Sequence, residues 1–123
     1  MYAPAEQDQT NLYQMYVFSG VRAISEHPDA EGITLARTAA GEEYLFPFTG
    51  DPDFAEKAAR ILTEGKNAHI RYLIHVWKDH TLDVPSYGLR KVLMELHPAN
   101  GKALLMLRGE NGFTILTLGD TMR

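Results

Sequence analysis

The stretch HVWKDHTLDVPSYG, residues 75–88, gathers the side chains best suited to chemistry in this chain. His75, His80, Asp79 and Asp83 offer imidazole nitrogens and carboxylate oxygens, the donors of a metal centre or a proton-transfer pair. Trp77 and Tyr87 add aromatic surface. Zinc, however, needs three or four ligands at about 2.0–2.3 Å from one centre. The two histidines are five residues apart, an odd spacing that sends alternating strand side chains to opposite faces, and a tight turn falls between them. There is no HExxH pair and no cysteine, so no metal site and no cofactor are expected.

Other chemistries fare no better. Ser25 and Ser86 lie outside any G-x-S-x-G elbow, and Gly41, Gly50, Gly101, Gly109 and Gly112 sit singly at turns rather than in a phosphate-binding loop. His27 and His97 precede prolines and read as loop and helix-end residues, with His97 placed to complement a helix's negative end. Glu42-Glu43 reads as a solvated turn. Local structure also claims most of the opening cluster. Asp79-His80 is placed to turn a hairpin corner, histidine being one of the residues that tolerates positive φ. Asp83 and Ser86 are expected to share the cap of the helix that follows.

A strand face survives this reduction. AHIRYLIHVWK, residues 68–78, alternates with period two, which points Ile70, Tyr72, Ile74 and Val76 to the core. Arg71, His75 and Trp77 then stand on the opposite side, about 7 Å apart per two residues. Guanidinium, imidazole and indole together make a recognition surface, because Trp and Arg supply much of the energy at interfaces. The alternative is a pocket between this face and a helix or loop. There His75 would be general acid or base, Arg71 would hold an anion, and Tyr72 or Tyr87 would stand nearby. The bland alternative packs Trp77 beneath a loop.

The elements that must position these residues are legible in outline. Residues 1–10 are expected to be loose and residues 11–123 to form a single α+β domain. LYQMYVFSGVRAI, residues 12–24, is rich in Tyr, Val, Phe and Ile and predicts a strand with a bend at Gly20; a helix capped at Thr10 or Asn11 competes. ITLART and EEYLFPF predict a hairpin. DPDFAEKAARILTEG predicts a helix capped by Asp51, with Phe54, Ala58, Ile61 and Leu62 as its buried stripe and Gly65 as its left-handed stop. SYGLRKVLMEL predicts a second amphipathic helix, capped by Ser86 and burying Leu89, Val92, Leu93 and Leu96. KALLMLR and FTILTL flank Glu110-Asn111-Gly112, a hairpin signal. The order β-β-β-α-β-β-α-β-β gives an α+β fold whose largely antiparallel sheet is built from hairpins, with two amphipathic helices. The run Ala103–Leu107 is apolar on both sides and implies a strand covered on two faces.

Bulk properties bound the function. The 123 residues contain no apolar run approaching the roughly 20 needed to cross a bilayer. MYAPAEQDQT lacks the basic start and apolar stretch of a secretory signal, so a cytoplasmic protein is expected. Residues 1–59 carry three basic side chains against ten acidic ones, net −7, and residues 60–123 carry nine against six, net +3. Such a dipolar surface could steer a charged partner. Arg90, Lys91, Lys102 and Arg108 could form a basic patch, yet an excess of +3 is small for a nucleic-acid binder, and nucleic acid is not expected. With no catalytic motif, the chain reads as a small interaction, inhibitory or regulatory module that binds another protein, of the kind an immunity protein or a regulatory subunit represents. The alternative is a small-ligand-binding protein or enzyme with its pocket near His75 and Arg71. Strands at 12–18 and 113–118 would be sheet edges, and a homodimer is possible.

Overall fold

A computed structural model describes residues 5–110 and 112–122. In chain order the elements are α1 (Glu6–Gln14), a π-helical segment (Met15–Gly20), α2 (Val21–Glu26), β1 (Gly32–Thr38), β2 (Glu43–Phe48), α3 (Phe54–Glu64), β3 (Ile70–Trp77), β4 (Leu82–Asp83), α4 (Tyr87–Leu96), β5 (Leu104–Gly109) and β6 (Gly112–Thr117). One six-stranded sheet runs β2-β1-β3-β5-β6, with the short β4 also paired to β3. Every pairing is antiparallel except β3–β5. The α+β class with a mostly antiparallel, hairpin-built sheet is therefore as the sequence suggests.

The first element is not. Residues 12–24 are helical, and residues 6–10, expected to be loose, form the start of α1. The physical reason is a stripe hidden by its neighbours. Leu12, Met15, Gly20, Ala23 and Ile24 are buried at helical spacings, while Tyr13 and Phe18 project outward from the same run. Strand propensity loses to this packing. Gly20, expected to bend a strand, instead lets the helical segment lie close on the sheet: a Cβ there would sit 2.9 Å from Val76 Cγ2.

With that segment on one face and α3 and α4 on the other, the sheet is covered twice. Leu12, Met15, Ile33, Leu35, Tyr72, Ile74 and Val76 share one core. Ala36, Phe54, Ala58, Leu62, Leu73, Leu89 and Leu93 share the second. The double cover explains the apolar run of β5: Leu104 and Met106 join the first core, Ala103 and Leu105 the second.

Smaller expectations divide. Ser86 caps α4, accepting from Leu89 N at 3.3 Å. The Asp79-His80 corner forms, with His80 at φ 72° and its N–H donated to Trp77 O at 2.8 Å. Gly65 stays right-handed at φ −78°, and Lys66 takes the positive φ of 57° after α3. Ile61 faces solvent rather than the stripe. At the β5–β6 turn Gly112 has φ 119°, and Asn111 lies outside the described residues.

Candidate functional site

β3 places the side chains named from sequence, and a bulge decides where each one goes. Arg37 of β1 faces Tyr72 while Thr38 faces Ile70, which leaves Arg71 as an extra residue without a partner on β1. The slip sends Ile70 to the core under α3 and α4, although Tyr72 is in the core under α1. Arg71 is exposed at the bulge. Its Nε donates to the Tyr72 hydroxyl at 3.2 Å and its Nη2 lies 3.4 Å from Asp8 Oδ1. Those contacts, with the phenol foremost, hold its pKa above the usual guanidinium range.

The expected outward row does not exist as an open surface. His75 is only 3% exposed and Trp77 is half-buried, because α4 and the loop that precedes it cover that side of β3. Beneath this cover is a cavity of about 260 Å³. His75, Trp77 and Tyr87 line it, so three of the five residues nominated from sequence do converge. Tyr72 belongs to the opposite face and Arg71 to the sheet's far end. The structure adds Phe48, Phe54, Asp83, Ser86 and Arg90.

Aromatic edges fix the imidazole. The His75 and Trp77 rings meet at 4.4 Å in an edge-to-face arrangement of 77°, and Phe48 approaches both at 6.2–6.4 Å. Gly32, directly across the ladder from Trp77, makes room: a Cβ on it would lie 2.8 Å from His75 Nε2. On the other ring nitrogen, Nδ1 is 2.8 Å from Thr34 Oγ1. Nε2 has no hydrogen-bond partner, the sole such buried side-chain atom among the described residues. Burial pushes the imidazole pKa down to about 4, against a weaker opposing pull from the Asp83 carboxylate. The ring is neutral at physiological pH.

Asp83 does not cap α4 as expected. Its Oδ2 accepts the Trp77 indole N–H at 2.9 Å and its Oδ1 accepts Val84 N–H at 2.7 Å, which locks the indole over the cavity. Arg90, expected in a solvent-facing basic patch, folds back instead. Nε donates to Pro85 O at 2.9 Å and Nη1 to Thr121 O at 2.8 Å, with the guanidinium 5.7 Å from the Tyr87 ring centre. The signal missed in the sequence was helical phase: Arg90 follows the buried Leu89 directly and so borders the covered side of α4. Neither Phe48 nor Phe54 could be assigned to this cavity before β2 and α3 were placed.

No three of His, Asp and Glu are grouped to hold a metal among the described residues. No helix among them is long and apolar enough to cross a membrane. The sequence matches no protein-family model and no curated protein.

Proposed function

We propose that this protein binds a small molecule in the cavity beneath Trp77, with His75 Nε2 as the internal hydrogen-bond partner. The observation that carries the reading is that nitrogen. A buried polar atom without a partner forfeits about 1–3 kcal/mol, and here the orphan lies on a ring that lines a cavity. Concave, mostly apolar sites with a few convergent polar groups are what small ligands use. Binding is favoured over proton transfer because an imidazole held near pKa 4 is a weak base at neutral pH. Arg71, moreover, is too distant in the fold to hold an anion for it.

The test is a thermal-shift and calorimetry screen with monocyclic aromatic compounds. A compound that binds the native state raises Tm, and its effect is expected to vanish in Gly32→Val, which fills the space beside Nε2. Binding that survives unchanged in that folded variant would place the ligand elsewhere and end this reading.

A second reading keeps the expectation of a protein partner, and the partner it fits is another copy of this chain. The two sheet edges differ. Edge strand β2 carries Glu43 and Pro47, both of which discourage strand addition. β6 has neither a charge nor a proline from Gly112 to Thr117, and Tyr13, Phe18 and Phe113 are exposed beside it. Antiparallel self-pairing of β6 would set the Arg108 end of one copy against the Asp120 end of the other. Light scattering is expected to give a dimer that Phe113→Lys dissociates; a monomer at every concentration would exclude it.

A further inference from the structure

The charges around the cavity narrow the ligand's chemistry, on the premise that the pocket reading above is correct. The walls are flat and apolar: Phe48, Phe54 and Trp77 offer ring faces and edges. Benzene fills an engineered apolar cavity of about 150 Å³, so about 260 Å³ holds one aromatic ring with two substituents. Asp83 also lines the cavity, and its two oxygens already receive the Trp77 and Val84 N–H groups. Arg90 lines it too, half-buried and held by two neutral carbonyls. Among the described residues it makes no ion pair with a carboxylate. Its Nη2 forms none of the hydrogen bonds among the described residues. The His75 ring lines the same cavity, and its buried Nε2, beside the space over Gly32, donates or accepts according to its tautomer, because the Thr34 hydroxyl can take either role at Nδ1.

We propose that the ligand is a monocyclic aromatic carboxylate bearing a hydroxyl or amino group: ring against Trp77 and Phe48, carboxylate on Arg90 Nη2, substituent hydrogen-bonded to His75 Nε2. A guanidinium N–H to a carboxylate is a charge-assisted hydrogen bond, stronger than one between neutral groups. Asp83 favours the rival, the same ring carrying a cation in place of the carboxylate, to the extent that its charge is not answered by the two N–H groups it accepts. The rival must therefore be an arm of the test.

Calorimetry on the unaltered protein would compare 3- and 4-hydroxybenzoate with benzoate, phenol and 4-hydroxybenzylamine. The better hydroxybenzoate is expected to bind about tenfold or more tightly than phenol and than benzoate, as one charge-assisted and one neutral hydrogen bond would give. Arg90→Gln should bring hydroxybenzoate down to the affinity of phenol, and Arg90→Lys should restore part of the difference. His75→Phe should bring it down to that of benzoate. Phenol or the benzylamine binding as tightly as the hydroxybenzoates would overturn the carboxylate assignment while leaving the pocket intact. Failure of all five compounds would overturn the pocket reading as well. The series decides the matter on the native protein even if an Arg90 variant, deprived of its bonds to Pro85 and Thr121, unfolds.

Discussion

Tyr72 and His75 are three residues apart on β3, both almost fully buried, and opposite in how their polar atoms are treated. The Tyr72 hydroxyl donates to Asp8 Oδ1 and receives N–H groups from Asn11 Nδ2 at 3.0 Å and Arg71 Nε at 3.2 Å. It is a saturated junction that ties α1 to the bulge. His75 has one partner for two nitrogens, and its ring lines a cavity. Asn100 behaves like Tyr72: fully buried, it accepts from Ile70 N and donates to Ala68 O and Leu93 O, all at 2.7–2.8 Å. Native interiors satisfy their polar groups wherever only structure is at stake. The unsatisfied one, His75 Nε2, is the atom to which we assign a ligand.

The comparison can be broken most forcefully at Gly32. Gly32→Val puts carbon within 3.0 Å of Trp77 and of the Val76 carbonyl as well as against Nε2. A loss of about 3 kcal/mol is expected from such overpacking, measured by urea unfolding, together with loss of cavity binding. A marginal change would mean the imidazole is not held where the structure puts it.

Acid should expose the same group through linkage. An unfolded histidine takes up its proton near pH 6.5, whereas folded His75 resists until about pH 4. Between those values the unfolded chain binds more protons, so stability falls as pH is lowered from about 6.5 to about 4 and this contribution then levels off. The full span corresponds to a loss of order 3 kcal/mol. Unfolding free energies of wild type and of His75→Leu/Thr34→Val at pH 7 and pH 4.5 isolate it, since carboxylate protonation affects both proteins. Parallel losses would show that His75 titrates normally.

The saturated side gives the next effect. Tyr72→Phe strips Asp8 and Asn11 of a shared partner and should destabilise by about 2 kcal/mol. Smallest of all is the orphaned side made apolar. His75→Leu with Thr34→Val removes both members of the hydrogen bond together with the unpaired nitrogen, and stability at pH 7 should stay within about 1 kcal/mol of wild type. Equal destabilisation by these two changes would erase the distinction between the residues.

Much of this was legible beforehand, and the failures share a cause. The β1–β2 hairpin, α3, α4, the His80 corner and the Ser86 cap rest on short-range rules of capping, turn chemistry and amphipathic period. The alternation of β3 correctly grouped His75 with Trp77. What it could not reveal is that a second layer covers that face, or that the Arg71 bulge separates Ile70 from Tyr72. Residues 12–24 misled because Tyr13 and Phe18, apolar but outward, blurred a helical stripe. Arg90 and Asp83 carry no local sign of a shared cavity, since only the return of α4 over β3 brings them together.

The most direct test is a long-range 1H–15N spectrum of histidine-labelled protein titrated with 4-hydroxybenzoate. A neutral His75 ring down to about pH 4.5, with its Nε2 resonance moving in proportion to ligand bound, is the predicted result. A His75 that protonates near pH 6.5, or an Nε2 resonance that stays still while the compound binds, would contradict the assignment of that nitrogen as the ligand's anchor.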